Sequence, residues 1–282
     1  MVPEEHGSSA DTDGGEEILL PGLVIIDDSA EQDLVVAAGV ASFAELVCLE
    51  QLALPNCALS RLPQRLGDLT RLTELHLERN RLVTIPTSVA TMTKLLEVDL
   101  WDNRIEKLPE AVGSWFNLRA LRLWKNQLTT LPDTIGNLKL LEELRVECNK
   151  LVRLPNAIGN LLELRELHCW KNEIVQLPAG IGHLVELRGL HAEHNCLTAL
   201  PPFLGGLAEL RNLDVSHNRL ETIPESIGDL NELQCLHLEQ NRLTRLPEGL
   251  CRLDQLEELH AGENQLTSLP TECGNLDQLR EL

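Results

Sequence analysis

Aromatic residues are almost missing from this sequence, which contains 3 Phe, 4 Trp and no Tyr. A conventional globular core relies on large aromatic side chains to fill irregular space. A core built almost wholly from Leu, Ile and Val therefore indicates one packing unit that is used many times.

Basic residues are missing from the first 60 positions, which hold 12 Asp or Glu, and the first basic side chain is Arg61. Most of the formal net charge of −20 belongs to this segment. Such an acidic chain repels phosphate groups, which argues against general binding to nucleic acid or to anionic membranes.

A segment that could span a bilayer is also missing, because the longest apolar stretch near the start, residues 18–26, is too short and contains Pro21 and Gly22. This stretch follows an acidic leader, which is not typical of a signal peptide. The eight Cys form no CxxC pair, and none of the 17 Asn lies in an Asn-x-Ser/Thr sequon. Free thiols and absent glycosylation sites favour a cytoplasmic protein.

Motifs of catalysis are absent as well. The sequence has no Gly-rich phosphate loop, no GxSxG, no HExxH and no kinase signature. Its glycines recur every 23 residues, which is typical of packing and not of a loop that cradles a ligand. We therefore predict that the chain is not an enzyme and carries no cofactor.

What the sequence does contain is a repeat of 23 residues. Prolines recur at this spacing from Pro63 to Pro270, and six residues before each lies Cys57 or one of the Asn from Asn80 to Asn264. Each unit follows LxxLxLxxNxLxxLPxxIGxLxx. The Leu-x-Leu alternation predicts a short strand with one face inward. The Asn amide can pair with backbone groups of neighbouring turns, and Ile-Gly allows close approach of backbones.

This periodicity predicts an α/β solenoid, a leucine-rich-repeat horseshoe with a parallel β-sheet on its concave face. Residues 1–17 are expected to be a disordered acidic tail and residues 18–48 an N-terminal capping segment. Residues 49–282 hold ten full repeats and the start of an eleventh. Because the sequence stops at an open strand edge, we expect that the natural protein continues or that a partner, such as a second copy, covers this end.

The LPxxIGxL unit, found across residues 49–282, resembles the intracellular Ras-group leucine-rich-repeat family. That family includes Ras suppressor protein, the plant Ras-group proteins and the repeat domains of Erbin and Scribble. The resemblance implies a scaffold in intracellular signalling, with a Ras-type GTPase or a phosphatase complex as its partner. The residues shared with this family all occupy core and turn positions, so partner-binding residues must be sought among the surface positions.

Three of the four Trp lie on one column of the predicted concave face. With strands about 4.8 Å apart, Trp101 and Trp124 are neighbours and Trp170 lies about 10 Å further along. Exposed Trp surrounded by basic side chains is typical of an interface hot spot. The predicted partner-binding residues are Trp101, Trp124, Trp170, Arg104, Arg122, Lys125, Arg145, Lys171, His168 and His191.

Other interpretations of the same residues stay open. The Trp rings could pack on their own Arg and Lys neighbours without a partner, or stack nucleic-acid bases, although acidic residues interrupt the track. His168, His191 and Glu193 could bind Zn²⁺. The histidines could also give a partner contact that responds to pH, since they would gain charge below about pH 6.5.

The favoured function is a non-enzymatic scaffold or adaptor that binds a protein partner on its concave face, without nucleic acid or membrane insertion. The alternative is a recognition arm of a larger enzyme, such as a kinase, a GTPase or a ubiquitin ligase, whose catalytic domain lies outside this chain.

Overall fold

The computed structural model describes residues 28–271, 274 and 276–281. The tail predicted at residues 1–17 and the start of the capping segment, residues 18–27, lie outside the described residues. In the described part, ten strands of three residues each form one parallel sheet whose strand order is the chain order. This arrangement confirms the predicted leucine-rich-repeat solenoid with its parallel sheet.

The strands are regular because each repeat has the same alternation of side chains. The middle residue of every strand is buried, and each strand pairs residue for residue with the next, as Leu75 does with Val98. Beyond the last strand, a single parallel bridge joins Glu258 and Glu281. The strands are β1 Gln51–Ala53, β2 Glu74–His76, β3 Glu97–Asp99, β4 Ala120–Arg122, β5 Glu143–Arg145, β6 Glu166–His168, β7 Gly189–His191, β8 Asn212–Asp214, β9 Cys235–His237 and β10 Glu258–His260.

The convex side of each turn is a short 3₁₀ helix. Proline precedes most of these helices in an extended conformation, as at Pro132, where φ is −69° and ψ is 148°. The proline ring favours this φ and lacks an N–H, so it starts the helix without leaving a donor unpaired. The helices span Gln64–Asp68, Thr87–Thr91, Glu110–Ser114, Asp133–Asn137, Asn156–Asn160, Ala179–His183, Leu204–Gly206, Glu225–Asp229 and Glu248–Arg252.

Glycine in these helices lets neighbouring turns touch through their backbones. A Cβ atom at Gly159 would lie 2.2 Å from the carbonyl oxygen of Gly180 in the next turn. No side chain fits at that distance, so the predicted close approach of backbones is confirmed at this position.

Between residue 28 and β1 the structure describes two α-helices. Helix α1 spans Asp28–Ala38 and is followed by Gly39, whose φ of +67° is a left-handed conformation that suits glycine. Helix α2 spans Phe43–Leu46 and buries both of its terminal side chains. Arg65 of the first repeat lies over the Phe43 ring and pairs with Glu31 of α1, at 2.9 Å. These contacts attach both helices to the first turn of the solenoid. No helix in the described part of the chain is long and apolar enough to cross a membrane.

A ladder of buried asparagine side chains joins successive turns, as the repeat pattern predicts. The Oδ1 atom of Asn126 accepts a hydrogen bond from the backbone N–H of Ile105, at 2.9 Å. Its Nδ2 atom donates to the carbonyl oxygens of Leu100, at 2.9 Å, and Leu123, at 3.0 Å. One amide therefore satisfies backbone groups of its own turn and of the preceding turn.

Replacing Asn126 by Ala should lower the free energy of unfolding by about 1–3 kcal/mol, because buried backbone donors and acceptors lose their partner. Thermal or urea denaturation of the purified chain measures the change. The matched control is Asn117→Ala, since Asn117 bonds to the Thr93 carbonyl from an exposed position. This control should cost less than about 0.5 kcal/mol. Equal losses in the two variants would show that the ladder amide is not a special source of stability.

Candidate functional site

Equivalent side chains of successive repeats form columns on the concave face, because neighbouring strands pair residue for residue. The first column consists of the last strand residues, Ala53, His76, Asp99, Arg122, Arg145, His168, His191, Asp214, His237 and His260. The second column, two positions later, consists of Pro55, Glu78, Trp101, Trp124, Glu147, Trp170, Glu193, Ser216, Glu239 and Gly262.

The indole rings of Trp101 and Trp124 are stacked in the second column. Their centroids lie 4.2 Å apart and their planes differ by 4°. Neither ring belongs to the leucine core, whose one tryptophan among the described residues is Trp115. The sequence predicted exposed rings, but Trp101, Trp124 and Trp170 are half-buried. For Trp101 and Trp124 the reason is that stacking covers one face of each ring.

Basic side chains lie over the rings of the tryptophans. The Lys125 Nζ atom lies 5.0 Å from the Trp124 centroid, and the Lys171 Nζ atom lies 4.9 Å from the Trp170 centroid. The Arg145 guanidinium lies 6.0 Å from the Trp124 centroid. These distances are in the range of cation–π attraction, so the structure brings three of the predicted basic residues to the tryptophans.

The backbone places these lysines over the rings. Lys125 and Lys171 stand directly before a ladder Asn, and their φ angles are 51° and 49°. This left-handed conformation is uncommon for residues other than glycine. The Lys125 N–H bonds to the Glu147 carbonyl, at 3.0 Å, and so holds the turn in place.

Two other predicted residues, Arg122 and Arg145, are each paired with carboxylates on the same face. Arg122 contacts Glu143 at 2.7 Å and Glu97 at 3.4 Å. Arg145 contacts the fully buried Glu147 at 2.8 Å. These ion pairs hold both arginine side chains along the concave face.

Arg104 does not join the tryptophans: it is exposed and makes none of the cation–aromatic contacts found in residues 28–271. Arg79 takes that role instead, with its guanidinium 4.7 Å from the Trp101 centroid. Sequence reasoning missed Arg79, although a signal was present. Arg79 precedes Asn80 as Lys125 and Lys171 precede their own ladder Asn, and its φ is also positive.

His168 and His191 also stack, with ring centroids 4.5 Å apart and planes 7° from parallel. Their Nε2 atoms lie 3.7 Å and 3.8 Å from the same oxygen of Glu166. The carboxylate beside this pair is thus Glu166 and not Glu193 as the sequence suggested. Burial and the neighbouring His191 lower the pKa of His168 to about 4, and burial lowers the pKa of His191. The expected gain of charge near pH 6.5 is therefore wrong for His168, which stays neutral well below that pH.

In the second column, Glu147 is buried between Trp124 and Trp170, and Glu193 is half-buried on the far side of Trp170. One oxygen each of Glu147 and Glu193 is shielded from solvent and has no hydrogen-bond partner among the described residues. Burial raises the pKa of Glu147, and it raises the pKa of Glu193 to about 7. In the first column, burial raises the pKa of Asp99 to about 6. The concave face thus combines aromatic rings with carboxyl groups, and two of these groups, Glu193 and Asp99, have a pKa near neutral pH.

Comparisons with known proteins agree with this architecture. A family model described as a leucine-rich repeat region matches residues 102–215 and 201–282. The structure of a leucine-rich-repeat protein from Leptospira interrogans is similar, with 30% identity over 84% of this chain and 72% of that chain, and a TM-score of 0.54. A search of curated protein sequences finds no match.

Plant receptors are also similar. The plant peptide hormone receptor RGFR1, in complex with RGF2, shares 31% identity over 84% of this chain, with a TM-score of 0.75. The Arabidopsis receptor kinase HAESA, in complex with the peptide hormone IDA and the co-receptor SERK1, shares 28% identity over 73% of this chain, with a TM-score of 0.65. This chain spans 40% and 36% of those two receptor chains.

The matching family model and the Leptospira structure do not indicate an enzymatic family. The matching repeat model, the ten parallel strands and the ladder of asparagines lead to one conclusion: this chain belongs to the leucine-rich-repeat family, whose fold is that of a protein-interaction domain.

Proposed function

We propose that this chain is a non-enzymatic scaffold that binds a protein partner through a tryptophan cluster, defined as Trp101, Trp124, Lys125, Trp170 and Lys171. The observation that carries the proposal is the stacked Trp101–Trp124 pair on the concave face, outside the leucine core. Tryptophan is enriched among the residues that dominate the energetics of protein interfaces.

The cluster is ordered before a partner arrives. Stacking and the lysines above the rings restrict the rotamers of Trp101 and Trp124, so little side-chain entropy remains to be lost on binding. The alternative, in which these rings pack only on their own cations, accounts for the contacts within the chain. This alternative does not explain why three half-buried tryptophan rings lie on the concave face and leave part of their aromatic surface open to solvent.

The charges of the cluster indicate the chemistry of the partner. Lys125 and Lys171 are exposed, and no salt bridge to either is found within the described part of the chain. A partner segment that combines an apolar side chain with a carboxylate would contact the edges of the rings and pair with a lysine. A charge-assisted hydrogen bond of this kind adds specificity to the apolar contact.

The cellular setting forms part of the proposal. The Ras-group resemblance of the repeat unit supports a scaffold in intracellular signalling, with a Ras-type GTPase or a phosphatase complex as the partner. No disulfide joins the cysteines that the structure describes, which supports a reducing compartment such as the cytoplasm.

A second candidate is a recognition arm of a larger protein, including an enzyme. The observation that favours it is the similarity to plant receptors that are solved with bound peptide hormones. In that case the same concave face binds a peptide, and a separate domain carries the downstream activity.

Replacing both Trp101 and Trp124 by Ala should weaken partner binding by at least about 2 kcal/mol, roughly 30-fold in Kd, because two hot-spot rings are lost. Affinity capture with the wild-type chain as bait, followed by titration of the captured partner, measures the loss. Stability should fall by only about 1 kcal/mol, since the rings lie outside the core and contribute mainly one stacked pair.

The matched control is Phe203→Ala, because Phe203 is an aromatic residue of the convex side with 66% of its surface exposed. This variant should bind like the wild type. If the double variant captures the same partners with the same affinity, the tryptophan cluster is not the interface. If it unfolds, the rings are structural and the proposal fails.

Replacing Glu193 by Gln should raise stability increasingly as the pH rises from about 5 to 8. The unfolded carboxyl loses its proton near its ordinary pKa of 4.5, whereas burial holds the folded pKa at about 7. The wild-type side chain thus contributes stability below the unfolded pKa, and this contribution is lost as the pH rises through about 7. Melting temperatures of variant and wild type across this range measure the difference. Glu173→Gln, at an exposed position, is the control, and the same pH dependence of stability in the two variants would contradict the prediction.

A further inference from the structure

A group of metal-ligand side chains lies on the concave face beyond the tryptophan cluster. Strand β9 reads Cys-Leu-His and strand β10 reads Glu-Leu-His. The two strands pair in register, with Cys235 opposite Glu258 and His237 opposite His260. Because the central leucines point inward, the other four side chains stand at the corners of a rectangle on the concave face.

The ligand atoms of three of these side chains already lie close together. One ligand atom each of His237, Glu258 and His260 lies within 4.8 Å of the others. Zinc ligands at bond lengths of about 2.0–2.1 Å lie about 3.4 Å apart in a tetrahedral site, so small side-chain rotations close the gap. The two imidazole planes are 82° apart, which lets the nitrogens of His237 and His260 turn toward a common point.

The surroundings of His237 match those of a metal-binding histidine. Its Nδ1 atom lies 3.6 Å from the Asp214 carboxylate, and its Nε2 atom is shielded from solvent without a hydrogen-bond partner among the described residues. Histidines that bind metals commonly donate their other ring N–H to a carboxylate, which orients the ring. Asp214 is placed to do this, and it leaves Nε2 for an ion.

The local charge also favours a cation at this place and not at similar clusters. The described residues hold two more such groups, Glu166–His168–His191 and His76–Glu78–Asp99. In both, an arginine is the strand neighbour: Arg145 pairs with His168, and Arg122 pairs with Asp99. The strand neighbours of His237 are Asp214 and His260, so no arginine adjoins it in its column.

We propose that His237, Glu258 and His260 bind a divalent ion of the zinc class, with the thiolate of Cys235 as the fourth ligand. Imidazole, carboxylate and thiolate are all ligands that zinc accepts in tetrahedral sites. A cysteine binds zinc as the thiolate, so binding replaces the S–H proton of Cys235 by an S–Zn bond and releases that proton to solvent. The ion joins β9 to β10 and stabilises the two turns that carry these strands.

The test titrates the reduced 282-residue chain with zinc chloride and follows binding by calorimetry and by the melting temperature. The wild type should bind one ion tightly, and its melting temperature should rise with zinc. The variant His237→Ala/His260→Ala should lose more than about 100-fold in affinity, since losing an outer-sphere partner alone costs 10–100-fold. Asp214→Asn should show that smaller loss of about 10–100-fold.

The matched control is His168→Ala/His191→Ala, which removes an equal number of concave-face histidines and should keep the wild-type affinity. Circular dichroism verifies that each variant is folded, and Glu258→Gln provides a milder change if the double variant is not.

Cobalt chloride serves as a second probe: a thiolate-to-cobalt absorption band should appear in the wild type and vanish in Cys235→Ser. The proposal is overturned if the wild type binds no zinc, if the control loses affinity as much as the His237/His260 variant, or if the cobalt band survives in Cys235→Ser.

Discussion

The hydrogen bonds of the buried asparagine ladder set the dimensions of every turn in this molecule. Asn126 accepts from a backbone N–H 21 residues earlier and donates to a carbonyl 26 residues earlier. The same two separations recur at Asn172, which bonds to Leu151 and Val146. An insertion between two ladder positions would move one of these partners out of reach and leave a buried polar group unpaired. The constant repeat of 23 residues is therefore a consequence of hydrogen bonding as well as of leucine packing.

Because the repeat length is constant, residues at equivalent positions of successive repeats become neighbouring side chains. Residues 23 positions apart meet across adjacent strands, which is why Trp101 stacks on Trp124 and His168 stacks on His191. Because the core and the ladder use other positions of the repeat, the outward residues can vary without altering the fold. Such a surface suits an interaction protein, since its recognition chemistry depends on a few columns carried by a rigid sheet.

These geometric relations explain which features the sequence predicted. The sheet, the ladder and the adjacency of Trp101 and Trp124 follow from register alone, and all three are present. The pairing of Arg122 with Glu143 and the depressed pKa of His168 depend instead on rotamers and on the depth of burial. The long side chain of an arginine can reach several carboxylates, and the amino-acid sequence alone does not predict which of them it contacts.

The two proposed sites lie on the same face but are separable. From β3, which leads into Trp101, to β10, which carries His260, the face extends over seven strand spacings, about 34 Å. A single partner laid along the sheet could therefore cover both ends, as one side of a standard interface is of this size. The metal ligands proposed here, however, all come from this chain, and with Cys235 they complete a tetrahedral set. An ion bound in this way has no open position for a partner's side chain, so we propose that it fastens neighbouring turns and that the tryptophans bind the partner.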